Sequence, residues 1–415
     1  MNRNSRAIKN NPPQLMAVIL CMVICMIMAI TTASLAGAQT VPTEIVKSDP
    51  ISDYLNAIET TEAERSAYSV ELSDLYFGLG KSHFTKREYE HARRAYQRGM
   101  QIERVNYGLN SLSQTPYLLS IAEAESFLGN WDESQNALEN LYQINSQAYG
   151  ENDPRMLPVL DDLLDWYMDT YEDRTHSGGY QNLVISERLS NRMAKILNTN
   201  VALEDPDAAP RYRKISHLHY FIANHIKQHG EPSESGLNIS TGSASRSPDG
   251  TSRQHYRRGK AALEKVVESL EKQDASSDAD KALAIAELGD WYLVFGQRMS
   301  ASKAYQLAYE SLPENTASQR LRETLFGQPS MIEFTALGAR KTLPDSDLQI
   351  SMVVSKLGVP GKMEIINPPE NISKNQIRAI YKDIRTKRFR PRLVDGKTTE
   401  SSIVFPYSSN QTQGT

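Results

Sequence analysis

Gly80-Lys81-Ser82 closes the stretch GLGKSHF, which reads as the tail of a phosphate-binding loop, where backbone N–H groups and a lysine cradle a nucleotide's phosphates. The leading glycine of such a loop would fall at Leu75, and no strand-like run precedes it. His225 and His229, in HLHYFIANHIKQH, lie one helical turn apart, a spacing that seats a metal ion between two imidazoles. The glutamate of a zinc hydrolase is missing from the intervening Ile226-Lys227-Gln228, and His217 and Phe221 continue the same row, so it reads as a packed helix face. Asp162, Asp165 and Asp169 gather on one side of LDDLLDWYMDTYED. A paired-carboxylate hydrolase needs its acids opposed across a cleft, which one helix does not supply, so the row reads as a solvated face. The segment 374–392, KNQIRAIYKDIRTKRFRPR, interleaves bases with aromatics as a nucleic-acid surface does, but Ile377, Ile380 and Ile384 commit one face of it to a core. There is no GxSxG, and no Ser, His and Asp are linked in context. Catalysis needs a convergent set of groups; none is visible, so the chain is read as non-enzymatic, with no catalytic, cofactor or metal residues assigned.

The elements that would position any site are clearer. In ELGDWYLVFGQRMSASKAYQLAYESLP (287–313), Gly289 and Ala301 are small where two helices approach closely. Tyr292 and Tyr305 fill the space beside them, and Pro313 stops the second helix. A second unit at 73–106 carries Leu79-Gly80, Ala92, Tyr96 and Gly99 in the same relative places, and a third at 115–148 carries Ala122, Gly129, Trp131, Ser134 and Leu138. Gln101-Ile102 recurs as Gln143-Ile144, and Tyr107-Gly108 as Tyr149-Gly150, an offset of 42 residues.

This spacing resembles the tetratricopeptide repeat, and the 42-residue period with its Tyr-Gly…Pro connector resembles the longer, kinesin-light-chain-like variety. Residues 157–171 with 183–197, and 211–229 with 255–273, read as further hairpins. The Gly/Ser/Pro-rich stretch at 230–254 reads as a flexible insertion. The expectation is an α-helical solenoid of about five helix pairs over 51–315, preceded by a linker at 39–50 and followed by another at 316–344. First helices would form an inner surface that holds a peptide or helix of a partner. Phe77, Lys81 and Phe84 are expected to face it in the first unit, and Leu119, Glu123 and Phe127 in the next. The alternative for all six is packing against the neighbouring repeat.

After about residue 345 the period falls to two: Leu348, Ile350, Met352 and Val354 alternate with mostly polar neighbours. GVPG (358–361) turns the chain into a second strand, Ser373-x-x-Gln376 supplies a capping box, and SSIVFPY is a last strand. The strand-strand-helix-strand order and the wording LGVPGKMEIINPP…RTKRFRPRLVDGK resemble the TonB C-terminal domain family. The resemblance covers 345–409, with a disordered tail at 410–415. It implies a small α+β domain that docks partners by strand addition to its last strand, around 402–407, with Phe389 and Pro391 matching the family's aromatic-basic-Pro exit as partner-binding positions. A transducer of that family carries a Ser and a His in its membrane helix and a long proline-rich spacer, and neither is present here.

The first 38 residues have the layout of a secretory signal peptide. Arg3, Arg6 and Lys9 precede an apolar run, Leu15–Ile30, and Ala36 and Ala38 set a cleavage point between Ala38 and Gln39. An uncleaved anchor, facing the periplasm from the inner membrane, is the alternative. Both cysteines, Cys21 and Cys25, would leave with the leader, and the net charge would go from −4 to −7. An exported, cysteine-free chain suits a Gram-negative periplasm or envelope. The expected function is an envelope scaffold whose partners are other envelope proteins or peptides, without nucleic acid. The alternatives are a membrane-anchored transducer coupling inner and outer membranes and, behind it, an enzyme of unrecognised type whose site lies in the insertion or the groove.

Overall fold

Small residues let paired helices meet at close range, and the computed structural model shows five helix pairs in succession. It describes residues 49–172, 179–230, 248–334, 348–369 and 372–407. The chain divides into two units, 1–53 and 54–415. Of the first, residues 49–53 are described, and Pro50 opens helix α1 (Pro50–Glu64).

Ten helices of the second unit pair in sequence: α2 (Glu71–Thr85) with α3 (Tyr89–Tyr107), α4 (Thr115–Leu128) with α5 (Trp131–Tyr149), and α6 (Leu157–Glu172) with α7 (Gly179–Asn200). The last two pairs are α8 (Ala208–His229) with α9 (Pro248–Lys272), and α10 (Asp278–Val294) with α11 (Arg298–Glu310). Close approach is physical at Gly80 and Gly289. A methyl group added to either would overlap the ring of Tyr96 or Tyr305 on the partner helix. The 42-residue period also survives in the connectors. A short 3₁₀ turn at Leu112–Gln114 is capped by Ser111, and one at Pro154–Met156 is capped by Asp153, the same place one period later. The result is a helical-repeat solenoid, in which each hairpin packs on its neighbours.

The segment expected as a linker at 316–344 begins with a helix, α12 (Thr316–Phe326), because Asn315 caps its first turn and Leu325 and Phe326 are buried against α10 and α11. The expected insertion at 230–254 is shorter at its far end, since α9 starts at Pro248; residues 231–247 lie outside the described residues. So do the leader with Ala38 and Gln39, most of the linker at 39–50, residues 335–347 and the tail. No described helix is long and apolar enough to cross a membrane.

Beyond α12 come β1 (Ser330–Met331), β2 (Leu348–Val354), β3 (Pro360–Ile365), α13 (Lys374–Thr386), β4 (Phe389–Arg390), β5 (Arg392–Val394), β6 (Lys397–Thr399) and β7 (Ser401–Tyr407). The long strands form an antiparallel sheet in the order β3-β2-β7, with Leu348 opposite Tyr407 and Val354 opposite Ser401. Alternation along β2 buries Leu348, Ile350, Met352 and Val354, and these pack with Ile380 and Ile384 of α13. Ser373 and Gln376 form the expected capping box. This β-rich region is fastened to the end of the solenoid. Leu393 joins a core with Ile285, Ala286, Leu293 and Tyr305, and β1 pairs with β4. A solenoid leaves the apolar side of its last hairpin bare, and α12 with the β5–β6 hairpin covers it here.

Candidate functional site

The first helices of the five hairpins (α2, α4, α6, α8 and α10) line up side by side, and their shared face carries aromatic and charged side chains in order along the stack. At its start the Phe77 ring lies 5.1 Å from Tyr117 and 5.6 Å from Tyr96, with the Lys81 ammonium 4.6 Å above it. Phe84 meets Phe127 edge-on at 5.4 Å, across the gap between α2 and α4, and Tyr89 stacks on Phe127 at 4.7 Å. Phe127 nevertheless stays 57% exposed, a large apolar ring held by neighbours on one side and facing water on the other. Leu119 is half-buried against the core, and Glu123 is exposed, its carboxyl raised by partial desolvation. The structure thus brings together Phe77 with Lys81 and Phe84 with Phe127, while much of Phe77 and Leu119 is spent on packing between repeats.

Further along, charge takes over. Arg211 and Lys214 of α8 hold Asp161 at 2.8 and 3.0 Å, and Lys214 holds Asp165 at 2.9 Å. Asp162, expected as part of a solvated row, is pushed up to about 6 by desolvation and then by the neighbouring charges of Asp165 and Asp161. Arg213 pairs with Glu287 at 2.7 Å, bridging α8 and α10; burial raises that carboxyl against the pull of Arg213.

At the far end the face is already covered by this chain. After β1 the backbone brings Phe334 to 4.5 Å from the Tyr220 ring, 5.3 Å from His217 and 5.7 Å from Trp291. Phe334 and Trp291 are buried, so the segment sits on residues of both α8 and α10. Next to it, Arg390 of β4 reaches Asp290 of α10 through two hydrogen bonds, Nε–H to Oδ1 at 3.0 Å and Nη2–H to Oδ2 at 2.5 Å. Tyr305 donates to the same carboxylate at 2.8 Å, and burial pushes its phenol well above the ordinary range. All three side chains are nearly or fully withdrawn from water, so the cluster is a fixed joint.

Phe389 and Pro391, expected from the family resemblance to meet a partner, are buried instead. Phe389 fills the core between α13 and the sheet, and its N–H donates to the Gly358 carbonyl at 3.0 Å. Arg388 and Arg390 of the basic stretch are used internally: Arg388 donates to the carbonyls of Arg385, Thr386 and Lys387, and Arg390 to Asp290. Gly80-Lys81-Ser82 lies within α2 and forms no loop. His225 accepts or donates one bond with the Tyr171 hydroxyl at 3.1 Å and stacks on Tyr180, as a packed helix face requires.

Two features leave almost no mark on local sequence. Asp290 was legible only as a residue inside a repeat, since its partner lies 100 positions away. His219 and His255 meet in the interior with Nδ1 atoms 3.1 Å apart; burial, then His255 and Arg258, pushes His219 down to about 3, so it is held neutral.

No protein-family model and no curated protein matches the sequence. Among solved structures the chain is similar to kinesin light chain TPR-like repeats from Podosopora anserina, at 15% identity and a TM-score of 0.41, covering 60% of this chain and 98% of that one. It is similar also to BtubC (BKLC) from P. vanneervenii, at 11% identity and a TM-score of 0.42, covering 66% and 91%. A third is the C-terminal part of a TPR repeat-containing protein from Cytophaga hutchinsonii, at 12% identity and a TM-score of 0.26, covering 65% and 94%.

Proposed function

We propose that this chain is a non-catalytic scaffold of the tetratricopeptide type, which holds segments of other proteins on the face formed by its first helices. The observation that carries the reading is the seat of Phe334. A non-helical stretch of this chain lies across α8 and α10 and buries an aromatic anchor among Tyr220, His217 and Trp291. That seat is a worked example of the ligand chemistry the face accepts: a short backbone segment with one large apolar side chain. The same ingredients recur, uncovered, around Phe84 and Phe127, with Lys81 nearby to meet a carboxylate or an aromatic ring.

A second contact belongs to the β-rich region, read as a domain of the TonB C-terminal kind. Among the described residues β7 pairs only with β2, and Val404 stands 57% exposed beside that free edge. An extended partner segment would add there as a further strand. The N-terminal layout supports export to a Gram-negative envelope with cleavage between Ala38 and Gln39; amino-terminal sequencing of the mature protein decides between release and a retained anchor.

Site-directed photo-crosslinking in intact cells tests both surfaces. A benzophenone amino acid at position 127 or 404 is expected to capture another polypeptide, while one at exposed Met299, away from both, captures none. Equal yields at all three positions, or none at 127 and 404, refute the scaffold reading.

A further inference from the structure

Three successive helices bring two imidazoles and a carboxylate to one point. Glu187 of α7, His219 of α8 and His255 of α9 each offer one ligand-type atom, and the three atoms lie within 4.8 Å of one another. His219 and His255 are 2% and 3% exposed, with Nδ1 atoms 3.1 Å apart. Glu187 closes the third side and is paired, towards the surface, with Arg258 at 2.7 Å.

We propose that Glu187, His219 and His255 form a binding site for a divalent ion of the zinc class. Donor chemistry selects the ion: two imidazole nitrogens and one carboxylate oxygen suit Zn²⁺, whereas Mg²⁺ and Ca²⁺ call for oxygen sets. The geometry is nearly formed. At a zinc–nitrogen distance of about 2.1 Å, nitrogens 3.1 Å apart subtend about 95° at the ion, and opening them by about 0.3 Å gives the tetrahedral angle. A water would complete four-coordination.

Without the ion, the two imidazoles satisfy each other through one hydrogen bond, a donor tautomer facing an acceptor. Arg258 is the competitor, since its guanidinium occupies Glu187. Its side chain is 41% exposed and that of Glu187 27%, so the arginine swings into water at little cost and opens the route by which the ion enters. Position gives the site its role. Residues 231–247 separate α8 from α9, and an ion held by one residue from each of α7, α8 and α9 clasps the hairpin that flanks this insertion to the hairpin before it. His225 and His229, the pair with metal-like spacing in the sequence, are not part of it, because His225 is engaged by Tyr171 and Tyr180.

The test uses the purified full chain after chelation, titrated with Zn²⁺ alone and, for spectroscopy, with Co²⁺. One equivalent of Zn²⁺ is expected to bind and to raise Tm by a few degrees at saturating metal, and Co²⁺ to show the strong visible bands of a four-coordinate site. Glu187→Gln should weaken Kd at least tenfold, while Arg258→Gln, which frees the carboxylate, should tighten it several-fold. Opposite signs from two neighbouring surface changes separate ligation from a general loss of fold, so the test holds even where His255→Gln fails to fold. The paired change His225→Ala/His229→Ala should leave Kd unchanged. Absence of a Tm rise, insensitivity to both Glu187→Gln and Arg258→Gln, or loss of binding in the His225/His229 variant overturns the proposal.

Discussion

The two ends of the inner face solve the same packing problem in opposite ways. At α2 and α4 the aromatic side chains Phe84, Tyr89 and Phe127 lean on one another and leave one ring in water. At α8 and α10 the aromatics Tyr220 and Trp291 are roofed by Phe334 and flanked by the Arg390–Asp290 pair. Neighbouring first helices create a seam wherever they meet, and such a seam exposes apolar surface until something lies on it. This chain supplies the cover itself at one end and supplies none from its described residues at the other. The covered end is packed shut by this chain's own residues; on the function proposed above, the bare end is where a partner segment would lie.

The sharpest way to break this comparison is Asp290→Ala. It strands a nearly buried guanidinium, and removing one partner of a buried pair costs about 3–5 kcal/mol. Urea unfolding should show that loss, with the β-rich region releasing first. Asp290→Leu combined with Arg390→Met removes both charges and should recover most of it. A double variant as unstable as the single one would mean that the pair is not the joint.

Phe334→Ala comes next. Deleting a buried phenylalanine ring costs about 3 kcal/mol where the site does not collapse. Its specific signature is optical: Trp291, fully buried beneath the segment, should move its emission to longer wavelength. If the covered end is a template for the open one, a peptide carrying a central phenylalanine should bind this variant in trans and reverse the shift. An unchanged Trp291 spectrum would show that Phe334 is not the roof.

What separates the two ends also separates what the sequence disclosed from what it did not. The hairpins were legible because Gly80 with Tyr96 and Gly289 with Tyr305 are contacts within one unit, so the constraint is written within a few dozen residues and repeats. Helix α12 was missed although Asn315, Ser318, Leu321 and Leu325 carry its cap and apolar row, because the row is short and follows a proline that ends the last repeat. Phe334, Arg390 and the His219–His255 pair are contacts between distant segments. Local spacing holds no trace of them. Phe127 is named from the sequence as a groove-facing position; in the structure it leans on Phe84 and Tyr89 and stays 57% exposed.

Between the two ends lies the acidic stretch of α6, where the effect should be smaller and depends on pH. The Asp162 carboxyl sits at about 6 in the folded chain against an ordinary 3.8, so folding favours its proton. Its contribution is fully present below about pH 4 and is lost as pH rises through about 6, where the charge forms beside Asp165 and Asp161. Asp162→Asn should therefore leave stability unchanged at pH 4 and raise it at pH 7.5, by no more than about 1 kcal/mol because solvent screens this exposed site. Thermal unfolding of both proteins across that range checks the sign. A gain that is greatest at low pH would reverse the account of the middle of the face.

The smallest expected change in stability tests the open end. Phe127→Ala removes a ring that is mostly in water, so its effect on unfolding should stay within about 0.5 kcal/mol, with Tyr89 and Phe84 left to close over the gap. Binding should respond on a different scale. An aromatic anchor at the centre of a small interface carries about 2 kcal/mol or more, which is a loss of affinity of about thirtyfold for the segment proposed to lie there. The two measurements together are decisive because they diverge. A side chain kept for packing loses stability and binding in proportion, whereas one kept for recognition loses binding alone. If Phe127→Ala unfolds as easily as Phe334→Ala, both rings are structural, and the open end of the face is only an incompletely packed version of the covered one.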